Sequence, residues 1–198
     1  NCLLTHDRAS FCVPGGTSPG EVFSILSGAD LDWARIDVFL NDERWVPEDH
    51  DRSNTALLKR TLLTDRAAAA YHVPLVNAAG TPEDGIPDLL ARFEDSLPIS
   101  VLLIGMGTDG HTASLFPGGD RLADGLADDA PILLPMRADG AGEPRVTLTA
   151  PVLKGAMETH ILIMGDEKRA VLDRAASADP MDMPVAAFLK DATVHWAA

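Results

Sequence analysis

The sequence predicts an α/β fold: a mostly parallel β-sheet with helices on both faces. Three observations carry this. Short apolar runs rich in Val, Ile and Leu recur along the chain, and segments with helical periodicity separate most of them. The 198 residues, 46 % hydrophobic and 23 % charged, suit a single domain over 1–198 with a sizeable core.

The strand candidates are 10–13, 36–40, 100–104, 132–136, 146–149, 160–164 and 193–196. Ser53 and Asn54 read as an N-cap ahead of ALLKRTLL, where leucines 57, 58, 62 and 63 make one apolar face. Segments 87–96 and 167–176 read as helices on the same grounds. The alanines at 67–70 read as a helix end, and 138–144 (ADGAGEP) as a surface excursion. There is no internal repeat or low-complexity tract.

The formal net charge is −14 and the pI about 4.6. Such a field disfavours nucleic acid and anionic membranes as partners. It also disfavours anionic metabolites, unless a few of the 16 Lys and Arg gather in one cleft. No apolar run reaches membrane-spanning length and the first residues carry no secretory pattern, so a cytoplasmic protein is expected. Cys2 and Cys12 read as free thiols. The histidines at 6, 50, 72, 111, 160 and 195 share no ligand spacing, so no metal is expected. His50 reads as a surface residue and His195 as a satisfied histidine near the last strand.

In open α/β sheets, ligands collect beyond the carboxyl ends of the strands. Three loops there stand out: PGGTSPG, NDERWVP and GMGTDGH. The last contains G-x-G-x-x-G after an apolar run, but a dinucleotide fingerprint needs its third glycine to open a long helix. Gly110 is followed by HTASLF and then Pro117, which leaves room for barely one turn. The Asp128-Asp129 pair sits in a turn. The nucleotide reading fails. Gly16-Thr17-Ser18-Pro19-Gly20 spells an esterase elbow, yet the residue after the serine must donate its N–H to the oxyanion, and Pro19 has none. Anion binding suits this loop equally with a plain tight turn: Gly15 and Gly16 permit close backbone approach, Thr17 and Ser18 offer hydroxyls, and Pro19 can start a helix.

Asp109 and His111 place a carboxylate and an imidazole two residues apart on a glycine-flanked loop, the pairing a general base needs. A histidine capping a short helix is the bland alternative. Asp42-Glu43-Arg44 follows a strand; a solvated acidic turn and a cap for the helix after Ser53 compete with anion binding by Arg44. Lys168 stands in a first helical turn, where acids are preferred. Arg145 reads as structural.

Taken in order, VPGGTSPG, DERWVP followed by SN, GMGTDGHTASLFPG, RVTLTAPVL, GDEKRAVL and a closing VHW resemble the 6-phosphogluconolactonase family over nearly the whole chain. The resemblance implies a Rossmann-like α/β/α domain with no nucleotide and no cofactor. It implies cytoplasmic hydrolysis of 6-phospho-D-glucono-1,5-lactone in the pentose phosphate pathway. Gly15, Gly16, Thr17, Arg44 and Lys168 are then expected to bind phosphate or lactone, and Asp109 and His111 to form the catalytic pair. Asp42 matches the base position of the related amino-sugar deaminases and is expected at the substrate. The family's N-terminal helix is expected to be largely absent from this chain, and a segment near residue 98 shortened. Pro14 replaces a frequent serine.

On this reading His111 takes a proton from the attacking water, Asp109 orients it or places the water, and Arg44 or backbone N–H groups hold the oxyanion. Two rivals remain. In amino-sugar-phosphate deaminases a glutamate five residues after the histidine assists ring opening; here Phe116 stands there. A non-catalytic sugar-phosphate sensor would not need Asp109 and His111 together.

Overall fold

The computed structural model describes residues 2–16 and 19–198. The elements run α1 (Cys2–Thr5), β1 (Ala9–Val13), α2 (Gly20–Ser27), β2 (Ile36–Leu40), β3 (Asp42–Arg44), α3 (Asn54–Thr61), β4 (Tyr71–His72), α4 (Pro82–Phe93) and β5 (Val101–Ile104). There follow α5 (Leu122–Leu126), β6 (Leu133–Met136), β7 (Arg145–Leu148), α6 (Ala150–Lys154), β8 (Glu158–Met164), α7 (Asp166–Ala175) and β9 (Ala192–Ala197).

Six strands form one parallel sheet in the order β4-β2-β1-β5-β8-β9. The sequence IDVFL of β2 is buried at all five positions. That is the burial expected of a parallel strand covered on both faces. The strand order changes direction between β1 and β5. A crevice opens there beyond the carboxyl ends, with the loops after β1 and β5 as its walls.

The remaining strands form a separate antiparallel sheet, β3-β7-β6. The sequence had Asp42–Arg44 in a loop, since three polar residues give no apolar pattern. Pairing with β7 makes them a strand.

Helix α3 starts where expected: the Ser53 hydroxyl accepts from Ala56 N–H at 3.1 Å. Helix α4 starts five residues before the expected position 87, capped by Thr81, with Pro82 in the first turn and Pro87 inside the helix. Two prolines offered the same start signal, and the earlier one prevails. Gly85 fits because the Trp45 ring lies against it; a Cβ there would sit 2.3 Å from Trp45 Cη2. One apolar cluster spans both sheets, including Leu58, Leu89, Leu102, Leu134 and Ile161, with Phe39 and Phe93 edge-on at 5.3 Å between centroids. Among the described residues no helix is long and apolar enough to cross a membrane.

Candidate active site

At the crevice between β1 and β5 lies a cavity of about 460 Å³. Gly15, Gly16, Asp42, Arg44, Asp109, His111 and Lys168 all line it. Thr17 and Ser18 lie outside the described residues. Three widely separated loops singled out in the sequence therefore meet at one place, as parallel topology requires of loops following neighbouring strands.

His111 Nδ1 lies 2.6 Å from Asp109 Oδ1, and the same oxygen accepts from the His111 backbone N–H at 3.1 Å. The hydrogen bond from His111 lowers the Asp109 pKa against the opposing effect of partial burial. An ionised Asp109 places the imidazole proton on Nδ1 and leaves the Nε2 lone pair available as a base. The ring rests on Phe116, with centroids 4.7 Å apart. The loop is closed by Gly107 N–H to His111 O at 2.9 Å and by Thr112 Oγ1 to Gly105 O at 2.8 Å. Gly110 has φ +83°, a conformation that favours glycine.

The cations come from the second sheet and from α7. Arg44 and Arg145 are directly opposite one another in the β3–β7 ladder. Like charges in that arrangement repel. Arg145 is only 7 % exposed; its Nη1 is 3.6 Å from Asp42 Oδ2 and its guanidinium lies 5.6 Å from the centroid of Phe116. Burial lowers its pKa, and the neighbouring Arg44 and Arg52 add to this while Asp42 opposes it. The Nε atoms of both Arg44 and Arg145 are buried and unpartnered among the described residues. Two arginines on facing strands that both line the cavity make a site suited to an anion. Lys168 joins them from the first turn of α7, after Gly165 at φ +83°.

Asp42 is buried, accepts from Ser114 Oγ at 2.5 Å, and shares its strand face with Arg44 by the period-two alternation. Glu43 points to the other face. Its carboxylate accepts from Asn54 N–H at 2.8 Å, Thr55 N–H at 2.6 Å, Ser53 Oγ at 3.1 Å and Arg44 N–H at 2.8 Å. Burial raises its pKa, and the bonds from Asn54, Thr55 and Arg44 pull the other way. Glu43 thus performs the helix capping that the sequence offered as one alternative; a solvated acidic turn is ruled out by its burial. Gly15 is pressed against Asn54, whose amide carbon lies 2.1 Å from where a Gly15 Cβ would stand.

Two sequence expectations need correction. Arg145 is a wall of the cavity as well as a structural residue, and nothing in the sequence shows that its strand pairs with DER. The 138–144 loop is more than a surface excursion: Asp139, Gly140 and Ala141 line the cavity, and Ala141 O accepts from Arg145 Nη2 at 2.8 Å. The cavity residues Asn41 and Asn54 were also missed, since asparagine in a turn or at a helix start carries no distinguishing signal. Cys12 is buried, which pushes its thiol pKa well up and leaves it inert. Among the described residues no group of three or more His, Cys, Asp or Glu comes together to hold a metal ion.

The model of the family described as glucosamine-6-phosphate isomerases/6-phosphogluconolactonase matches residues 1–196. The chain belongs to this family. It is 44 % identical over 202 residues to the 6-phosphogluconolactonase of Rhizobium meliloti (strain 1021), covering 98 % of this chain and 87 % of that protein. With the 6-phosphogluconolactonase of Pseudomonas aeruginosa it shares 42 % identity over 202 residues, or 99 % of this chain and 84 % of the relative. The crystal structure of a 6-phosphogluconolactonase from Shewanella baltica OS155 superposes with a TM-score of 0.96 at 32 % identity, covering 100 % of this chain and 87 % of that one. The family spans isomerase and lactonase chemistry, so the local geometry bears on the choice. At Phe116, where the deaminase reading requires a proton-transferring glutamate, an apolar ring packs on His111.

Proposed function

We propose that this chain hydrolyses 6-phospho-D-glucono-1,5-lactone to 6-phospho-D-gluconate in the cytoplasm, as a step of the oxidative pentose phosphate pathway. The observation that carries the mechanism is the Asp109–His111 pair facing the same cavity as the opposed Arg44 and Arg145. Relatives at 42–44 % identity named 6-phosphogluconolactonase support the substrate.

A lactone is an activated ester, so the site needs only a base and charge stabilisation. His111 Nε2 takes a proton from water as the water oxygen bonds to the lactone carbonyl carbon. Arg44, or a neighbouring backbone N–H, holds the oxyanion. The carbonyl reforms as the ring C–O bond breaks, and the imidazolium returns its proton to the departing ring oxygen. The acid product ionises and releases one proton. Gly15, Gly16, Thr17 and Lys168 bind the phosphate or lactone oxygens, and Asp42 binds substrate beside Arg145.

The test is proton release on mixing with fresh 6-phosphogluconolactone, corrected for spontaneous hydrolysis. A rate no faster than the spontaneous one rejects the proposal. Activity is expected to survive exhaustive chelation, and loss in EDTA with rescue by zinc or manganese would contradict the water-and-histidine mechanism.

Lys168→Ala is expected to lower kcat/KM by about one to two decades, the loss of a charge-assisted contact worth roughly 1.5–3 kcal/mol. The decisive reading is the ratio of phosphorylated to unphosphorylated gluconolactone turnover. An unchanged ratio places the phosphate elsewhere.

A further inference from the structure

Glu43 is 1 % exposed and does not line the cavity, yet its neighbours in sequence and space do. Both carboxylate oxygens are committed. Oε1 accepts from the N–H groups of Arg44 and Asn54, and Oε2 from the Thr55 N–H and the Ser53 hydroxyl. One buried group therefore joins β3 to the first turn of α3.

Both ends of that clamp carry cavity residues. Arg44 follows Glu43 directly, and its backbone N–H is held by the carboxylate itself. Its side chain continues the link, donating from Nη1 to Arg52 O. Asn54 donates from Nδ2 to Asp42 O at 3.1 Å and occupies the space beside Gly15. Moving α3 away from β3 would displace Arg44, Asn54 and the Gly15 backbone together. A buried acid satisfied by four donors transmits position well, because no donor can leave without an unpaired group in a dry site.

We propose that Glu43 is a positioning residue, whose buried carboxylate locks the N-terminus of α3 onto β3 and so fixes Arg44 and Asn54 at the substrate. This rests on the lactonase reading above. Glutamine in its place keeps the shape but replaces one acceptor oxygen by an NH2 donor that faces other donors.

The experiment compares parent, Glu43→Gln, Arg44→Ala and the double variant, with Glu43→Asp as a second probe that keeps the charge and shortens the reach. Glu43→Gln is expected to lower kcat/KM by about 10–100-fold, with kcat falling because Arg44 is assigned to the oxyanion, and with Glu43→Asp intermediate. In the Arg44→Ala background the same change should cost less than in the parent, by about 3-fold or more, because one of the two groups it positions is gone while Asn54 remains. An equal loss in both backgrounds overturns the proposal, as does failure of both Glu43 variants to fold, which would assign the residue to stability alone. If the parent does not turn over the lactone, the functional reading fails separately. The same cycle is then read from 6-phosphogluconate affinity by calorimetry, and absence of binding to the parent overturns both.

Discussion

His111→Ala is expected to lower kcat by roughly 10²–10⁴-fold, the usual worth of a positioned general base, while affinity for 6-phosphogluconate stays near that of the parent. The split follows from the geometry. On the proposed mechanism His111, held by Asp109 at 2.6 Å, presents Nε2 as the base, while Arg44, Arg145 and Lys168, the cations assigned to the anionic substrate, line the cavity from other elements. Removing the imidazole therefore deletes proton transfer and leaves the anion site standing. Asp109 is held ionised by the bond from His111, which lowers its pKa, so the carboxylate goes on orienting the ring in the parent enzyme. Ser18→Ala should leave kcat close to the parent value, since Pro19 has no N–H for an oxyanion. Stopped-flow proton release gives kcat, and titration of the folded variants with 6-phosphogluconate gives affinity. A trapped acyl-enzyme on Ser18, or an active His111→Ala, would overturn the mechanism and leave the family standing.

Much of this cavity is legible in the sequence, for a physical reason. Residues that line a cavity beyond the ends of parallel strands sit in short segments of unusual composition, so PGG, DER and GTDGH stand out locally. The parallel sheet was legible because β2 and β5 are short apolar runs between helical segments. Long-range pairing was not. The facing of Arg44 by Arg145 depends on the β3–β7 register, which no local pattern encodes, so Arg145 passed for a scaffold residue. The 138–144 loop was misread for the same reason: its polar, glycine-rich composition matches any exposed turn, and the bond from Arg145 with long-range bonds from Arg52 and the Trp45 N–H hold it in place. Glu43 shows the limit most clearly. Its neighbours stand out in the sequence, Arg44 as an anion binder and Asp42 as a substrate residue through the family resemblance, while the period-two alternation that turns Glu43 toward α3 appears only once DER is known to be a strand.

Gly107→Ala is expected to lower kcat by about 10²-fold or more without unfolding the protein, which is the cost of misplacing a catalytic group by an ångström or so. An ideal Cβ on residue 107 would stand 2.2 Å from both Cε1 and Nδ1 of His111 and 2.6 Å from Asp109 Oδ1. Those distances are far inside van der Waals contact. The ring and the carboxylate must move, because the backbone of residue 107 is tied to His111 O and its carbonyl to Gly110 N–H. The ring cannot simply slide back, since Phe116 packs against it. The methyl group should therefore break the 2.6 Å bond, release the tautomer and turn Nε2 away from the attacking water. The core is untouched, so the melting temperature should change little. The discriminating measurement is the double variant: with His111 already replaced by Ala, the ring that the methyl strikes is gone, and Gly107→Ala should add almost no further loss. A Gly107→Ala enzyme with the parent kcat would show that the Asp109–His111 contact is dispensable. An equal loss in both backgrounds would mean that the glycine serves the substrate's approach to the backbone instead of the dyad.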